Sequence, residues 1–136
     1  MENKIQDTED LYRAIKRSKP DWLDNNGKPT SAMFKDANGN SVDRDDDRDL
    51  KEIIEFMDKG IFYKRLKGIV KINAGICMKN PIQAKVEAAP TESNPYHANI
   101  FTDIENERKA AIQALMLADN CEVVYINRSM AWVNNI

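Results

Sequence analysis

The chain has 136 residues, 42% hydrophobic and 31% charged, with a formal net charge of −2. That length suits one domain of roughly 100–200 residues, and such a chain buries enough surface to need no disulfide or structural metal. The charge balance excludes a bulk attraction to nucleic acid, though not a local basic face.

The residues Met1–Asp7 lack the apolar stretch of a secretory signal. Leu11-Tyr12-Arg13-Ala14-Ile15 fits a helix, with Leu11 and Ile15 at i and i+4. It fits a strand equally, because Leu11, Arg13 and Ile15 alternate with Tyr12 and Ala14. Pro20 closes the segment. Asp24–Thr30 carries the Asn-Gly and Pro chemistry of a loop. Asn38-Gly39 then separates Ser31–Lys35 from Asn40–Arg44, which predicts a hairpin.

Asp45-Asp46-Asp47 predicts a helix start, since carboxylates satisfy free N–H groups and oppose the positive end of the dipole. Leu50, Ile53, Ile54 and Met57 give that helix one apolar face, and Gly60 ends it. Residues 61–78 read as strand, with Val70, Ile72, Ala74 and Ile76 toward one buried side. Lys67 and Lys71 interrupt its apolar run, so no stretch reaches the roughly 20 residues of a membrane span.

Asn80-Pro81 marks a turn, Ile82–Ala88 a weaker strand, and Ala89–Pro95 a loop. Tyr96–Phe101 alternates, with His97, Asn99 and Phe101 on one side. Thr102 and Glu105 fit a capping box for a second helix running to Asn120. Cys121–Ile126 reads as a strand, and Asn127–Ile136 as a last turn or a docked end. Without a βαβ rhythm, this order predicts one α+β domain over residues 1–136, with a mainly antiparallel sheet and two main helices. Cys77 and Cys121 belong to no Cys-x-x-Cys, which fits free thiols in a reducing cytoplasm.

Asp43, Asp45 and Asp47 begin like a calcium-binding EF-hand loop. Arg48 then stands where glycine is required and Ile54 where a bidentate glutamate is required, so the helix-cap reading is preferred. His97 is the only histidine and cannot build a His-based zinc site. It can be a structural residue, a general base or a phosphate donor. Arg13 lies in an apolar pentad, where an arginine must be paired or face a ligand. Arg44 raises the same question, and Asp43 is a candidate partner for Arg13. A guanidinium binds two oxygens of phosphate or carboxylate at once.

Thr30, Ser31 and Ser41 offer hydroxyls beside the predicted hairpin, with no nucleophile elbow around them. No P-loop or dinucleotide fingerprint is present. Lys64, Arg65, Lys67 and Lys71 follow Phe62 and Tyr63, a pattern compatible with nucleic acid. Four charges close to an acidic stretch favour a solvated strand face, so nucleic acid is not expected as a partner.

Leu11-Tyr12-Arg13, Pro29-Thr30-Ser31-x-x-Phe34, Ser41-Val42-Asp43-Arg44 and His97-Ala98-Asn99-Ile100 resemble a pattern in small, uncharacterised bacterial and phage-encoded proteins. The resemblance implies that these positions belong together and brings no activity with it. A second analogy is to mono-ADP-ribosyltransferases, with Arg13, Ser31 and Glu122 in the places of the basic first-strand residue, the hydroxyl and the late glutamate. The Ser-Thr-Ser and the paired glutamate of those enzymes are missing, and a fold-level analogy does not establish function.

The resulting expectation is a non-enzymatic protein with no cofactor, holding an anionic, nucleotide-like ligand or a protein partner. Its candidate site is Arg13, Thr30, Ser31, Arg44 and His97. The alternatives are an NAD-dependent ADP-ribosyl transfer and an immunity or anti-defence inhibitor acting by protein contact.

Overall fold

A computed structural model describes residues 2–133. Its strands are β1 (Asp10–Lys16), β2 (Asn40–Arg44), β3 (Leu66–Asn73), β4 (Lys85–Ala88), β5 (His97–Phe101) and β6 (Glu122–Ile126). They form one sheet in the order β4-β5-β2-β1-β3-β6, and every neighbouring pair is antiparallel. The helices are α1 (Leu50–Lys59), the short α2 (Ala74–Met78) and α3 (Glu107–Asp119), with 3-10 helices at Pro20–Trp22 and Ser31–Phe34. This is the expected α+β class. No helix among the described residues is long and apolar enough to cross a membrane.

The first segment resolves as strand because it is central and covered on both sides. All of Leu11–Ile15 is buried. Successive side chains alternate between faces, and cross-strand partners share a face. Leu11 therefore lies with Arg44 and Ile72, and Tyr12 with Asp43 and Lys71. On the Tyr12 face, Ile53 and Met57 of α1 close a core over Tyr12, Ala14, Leu66 and Ile69. On the other face, which also carries Arg13, Met33, Phe34 and Leu117 pack on Leu11, Ile15, Val70, Ala98 and Ile100. Each such large apolar side chain stabilises the fold by roughly 1.5–3 kcal/mol.

Four local expectations are corrected. Ser31–Phe34 is a 3-10 helix whose Met33 and Phe34 enter the core, so no hairpin joins Ser31–Lys35 to β2. The turn at Gly39 does exist (φ +119°), but β2 pairs with β1 and β5. Asp45–Asp47 does not cap α1. Asp46 and Asp47 take left-handed turn conformations (φ 47° and 58°), which aspartate tolerates. Asp49 is the cap, and it exchanges hydrogen bonds reciprocally with Glu52.

Residues 61–65 form turns before β3, and the predicted strand ends at Asn73, whose side chain caps α2 and leaves Ile76 exposed. Thr102 is buried and caps nothing. Asn106 caps α3, because the Gln113 side chain takes the Asp103 N–H and Asp103 in turn accepts from Glu105 and Asn106.

The chain after β6 folds back. Buried Lys67 donates through Nζ to the Asn127 and Met130 carbonyls, and Val133 N–H donates to Arg17 O at 2.9 Å. The docked-end expectation thus holds for 127–133, and its last three residues lie outside the described ones. Cys77 and Cys121 are free thiols, and burial pushes Cys77 up to about 12.

Candidate functional site

The site begins with a break in the sheet. β1 pairs with β3 along its whole length, from Asp10 to Lys16. It pairs with β2 only at Leu11 and Tyr12. Beyond that point β2 peels away, and a cleft of about 620 Å³ opens between the strands. Arg13, Ala14 and Lys16 line it from β1, and Asn40 and Ser41 from β2.

Local bonds fix this divergence. Arg13 donates through Nη1 to the Ser41 carbonyl at 2.7 Å and through Nε to the Met33 carbonyl at 3.0 Å. The guanidinium thus occupies the place of a neighbouring strand. Asn40, fully buried, donates to Ile100 O at 3.0 Å and accepts from the Asp36 N–H, which closes the Asp36–Asn40 turn.

Arg13 is only 8% exposed, yet no carboxylate lies within ion-pair distance of it among the described residues. Its neighbours are carbonyl dipoles and aromatic faces. The Trp22 ring centroid lies 4.5 Å from its guanidinium carbon and the Phe34 centroid 5.7 Å. Burial pushes its pKa down to about 10, so it keeps its charge at neutral pH. Nη2 has no hydrogen-bond partner among the described residues, and Arg13 is part of the cleft lining.

Three more cations, Lys16, Lys19 and Arg65, line the same cleft, against the single carboxylate of Asp36. Burial together with the charges of Lys19, Arg65 and Arg13 holds Lys16 below its ordinary value. Phe62 forms part of the wall, with Arg65 over its ring at 5.9 Å. Such a set can hold an anion by charge, by guanidinium forks and by aromatic contact.

Of the candidate site residues Arg13, Thr30, Ser31, Arg44 and His97, only Arg13 reaches this cleft, where Ser41, Phe62 and Arg65 join it. Thr30 spends its hydroxyl on the Asp21 carbonyl at 2.6 Å. Ser31 opens its 3-10 helix outside the lining, which takes Ala32 and Met33 instead. Arg44 forks onto Glu9, with Nε–Oε1 at 2.7 Å and Nη2–Oε2 at 2.9 Å, and also donates to the Glu2 carbonyl. It pins the N-terminal segment.

His97 lies on the opposite face, opposite Asp43 on the neighbouring strand, with Nδ1 donating to Ala89 O at 2.9 Å. Asp43 is buried on that face too, so it is no partner of Arg13. It accepts from Asn94 Nδ2 at 2.9 Å. Glu122 is exposed on edge strand β6 and shares the Tyr12 face, away from Arg13.

Lys16, Lys19 and Trp22 were missed because no motif marks them. The available signal was the basic run Lys16-Arg17-Ser18-Lys19 directly after the β1 segment. Among the described residues no group of three His, Cys, Asp or Glu side chains could hold a metal ion. No family model, curated protein or solved structure matches the chain.

Proposed function

We propose that the protein binds a phosphate-bearing, nucleotide-sized anion in the cleft between β1 and β2, as a holder of the ligand and not as a catalyst. The observation that carries this reading is the convergence of Arg13, Lys16, Lys19 and Arg65 on one cleft with only Asp36 against them. Like charges at close range repel, and Arg13 keeps its charge in burial without a carboxylate. A bound anion relieves both costs. The aromatic rings of Trp22 and Phe62 suit the flat part of a nucleotide. The transferase alternative needs Glu122 beside Arg13 and Ser31, and no observation favours that grouping.

A panel of nucleosides and nucleoside mono-, di- and triphosphates in thermal unfolding tests the reading. The phosphorylated compounds are expected to raise Tm, by about 2.7 kcal/mol of added stability at a hundredfold excess over Kd. Bare nucleosides should do little. Arg13→Met should abolish the rise. If no phosphate compound at millimolar concentration shifts Tm, the reading fails.

A protein partner is the second reading. Ile112 and Leu115 stand half-exposed, at 50% and 54%, on the outer face of α3, far above the exposure of its buried Ala114 and Leu117. Ile112→Asp with Leu115→Asp should leave the fold intact and abolish capture of such a partner.

A further inference from the structure

The basic cleft does not end at its own lining. The last β1–β3 pair joins Lys16 to Leu66, and Arg17 N–H donates to Arg65 O at 2.8 Å. That register lays Lys16-Arg17-Ser18-Lys19 alongside Lys64-Arg65, two basic runs that are distant in sequence. Both runs stand in the sequence, and Lys67 of the second is occupied by the tail carbonyls. The fold brings the two together. None of Arg13, Lys16, Arg17, Lys19, Lys64 or Arg65 forms an ion pair with a carboxylate among the described residues.

Apart from Asp36 in the lining, the acids that flank β1 lie at its other end. Glu9 and Asp10 stand at its start, and Asp45–Asp47 follow the β2 end paired with Leu11. The sheet is therefore polarised in charge along β1, although the whole chain carries only −2.

We infer that the ligand of the cleft is one nucleotide of a single-stranded nucleic acid, whose backbone continues over Arg17 and Lys64. This rests on the phosphate-binding reading above and extends it. A free nucleotide can use the four cations of the lining and leaves Arg17 and Lys64 idle, since neither lines the cleft. A strand of linked phosphates would extend the contact to Arg17 and Lys64, which adjoin the lining residues Lys16 and Arg65 along the chain.

The rings fit the same ligand. Tyr63 is 61% exposed with Lys64 Nζ 5.4 Å from its ring centroid, next in sequence to Phe62 in the cleft wall. Exposed aromatics between cations stack unpaired bases. A duplex does not fit, because its stacked pairs cannot deliver a phosphate or a base to a guanidinium recessed to 8% exposure. A single strand can turn one nucleotide inward.

Fluorescence anisotropy with labelled ten-nucleotide oligo-dT, oligo-U and a ten-base-pair duplex, beside calorimetry with ATP, tests this. The single strands should bind more tightly than ATP and than the duplex. Their log K should fall with log salt at a slope of about −2 to −4, since each phosphate contact contributes roughly −0.7. Arg17→Ala with Lys64→Ala should weaken the oligonucleotides about tenfold and leave ATP unchanged. Arg13→Met should weaken both, with its fold checked by circular dichroism.

If ATP binds and no oligonucleotide binds more tightly, the extended groove is overturned and the nucleotide cleft stands. If the duplex binds as well as the single strands, the single-strand assignment is overturned. If neither nucleotide nor oligonucleotide binds, both readings are.

Discussion

Arg13 and Arg44 lie buried on the same face of one sheet, Arg13 at the middle of β1 and Arg44 opposite Leu11, and the fold uses them in opposite ways. Arg44 is 4% exposed, and its fork closes on the Glu9 carboxylate. That hydrogen bond raises its pKa above the ordinary value, against burial. Arg13 is 8% exposed, and its bonds go to two backbone carbonyls. Burial lowers its pKa to about 10 with no nearby carboxylate to oppose it fully. A guanidinium matched to a carboxylate is complete and acts as a staple. One held only by dipoles keeps its charge available, at a cost in stability that a ligand can recover.

The largest expected effect comes from breaking the complete pair. Glu9→Leu leaves Arg44 buried and unmatched, and urea unfolding at neutral pH should show a loss of about 3–5 kcal/mol. The wild-type pair should also fail in acid. Burial raises the Glu9 pKa, but the Arg44 and Gln6 hydrogen bonds outweigh it and leave the carboxyl lowered. A carboxyl lowered in the fold adds stability above its unfolded pKa, and the gain is lost as pH falls through the folded value. Glu9→Leu should therefore flatten the acid limb of the stability curve. An unchanged limb would show that the pair is not what the acid breaks.

Arg13→Met is the counterpart, and its expected cost is smaller. Met33 O and Ser41 O lose their donor, but Ser41, whose carbonyl takes Nη1, lines an open cleft where water can replace a donor. Each lost hydrogen bond is worth about 1 kcal/mol, and removing an uncompensated buried charge offsets part of it. The same urea measurement should therefore give a loss of no more than about 2 kcal/mol. A loss as large as that of Glu9→Leu would mean that Arg13 is a staple too, and the distinction between the two arginines would collapse.

This distinction was half legible in the sequence. Arg13 in an apolar pentad posed the question, and the α+β class, the apolar face of α1 and the alternation of Ala98 and Ile100 could be read from periodicity. The answer could not, because it depends on which chain segment meets each guanidinium. Glu9 reaches Arg44 across the sheet from the N-terminal side of β1, and Ser41 reaches Arg13 because β2 leaves β1 after two pairs. Cross-strand register is set by which face each strand buries and by turn geometry, and the partner strand is not given by the strand's own residues.

The same limit hid the cleft. Lys16, Lys19 and Arg65 converge only after β1 and β3 pair. The capping signals misled for a local reason. Several Asp, Thr and Asn residues compete near each helix start, and backbone geometry chose Asp49 and Asn106.

The smallest expected effect tests the same contrast with the sign of the charge reversed. Asp43 is a buried carboxylate with no ion pair among the described residues, held by the Asn94 amide. Burial raises its pKa, and the Asn94 hydrogen bond and the charges of Arg48 and His97 only partly oppose that. A carboxyl raised in the fold costs stability where it is ionised, above the folded pKa, and the cost disappears once pH falls below the unfolded value. Asp43→Asn keeps an oxygen that can accept from Asn94 and removes the charge. It should stabilise the protein at neutral pH by on the order of 1 kcal/mol or less, and the gain should shrink toward nothing on acidification to the ordinary carboxylate range. Urea unfolding at both pH values reads the difference. Destabilisation at neutral pH would mean that Arg48 and His97 complete Asp43 as Glu9 completes Arg44, and the unmatched buried charges would narrow to Arg13 and Lys67, both held by backbone carbonyls.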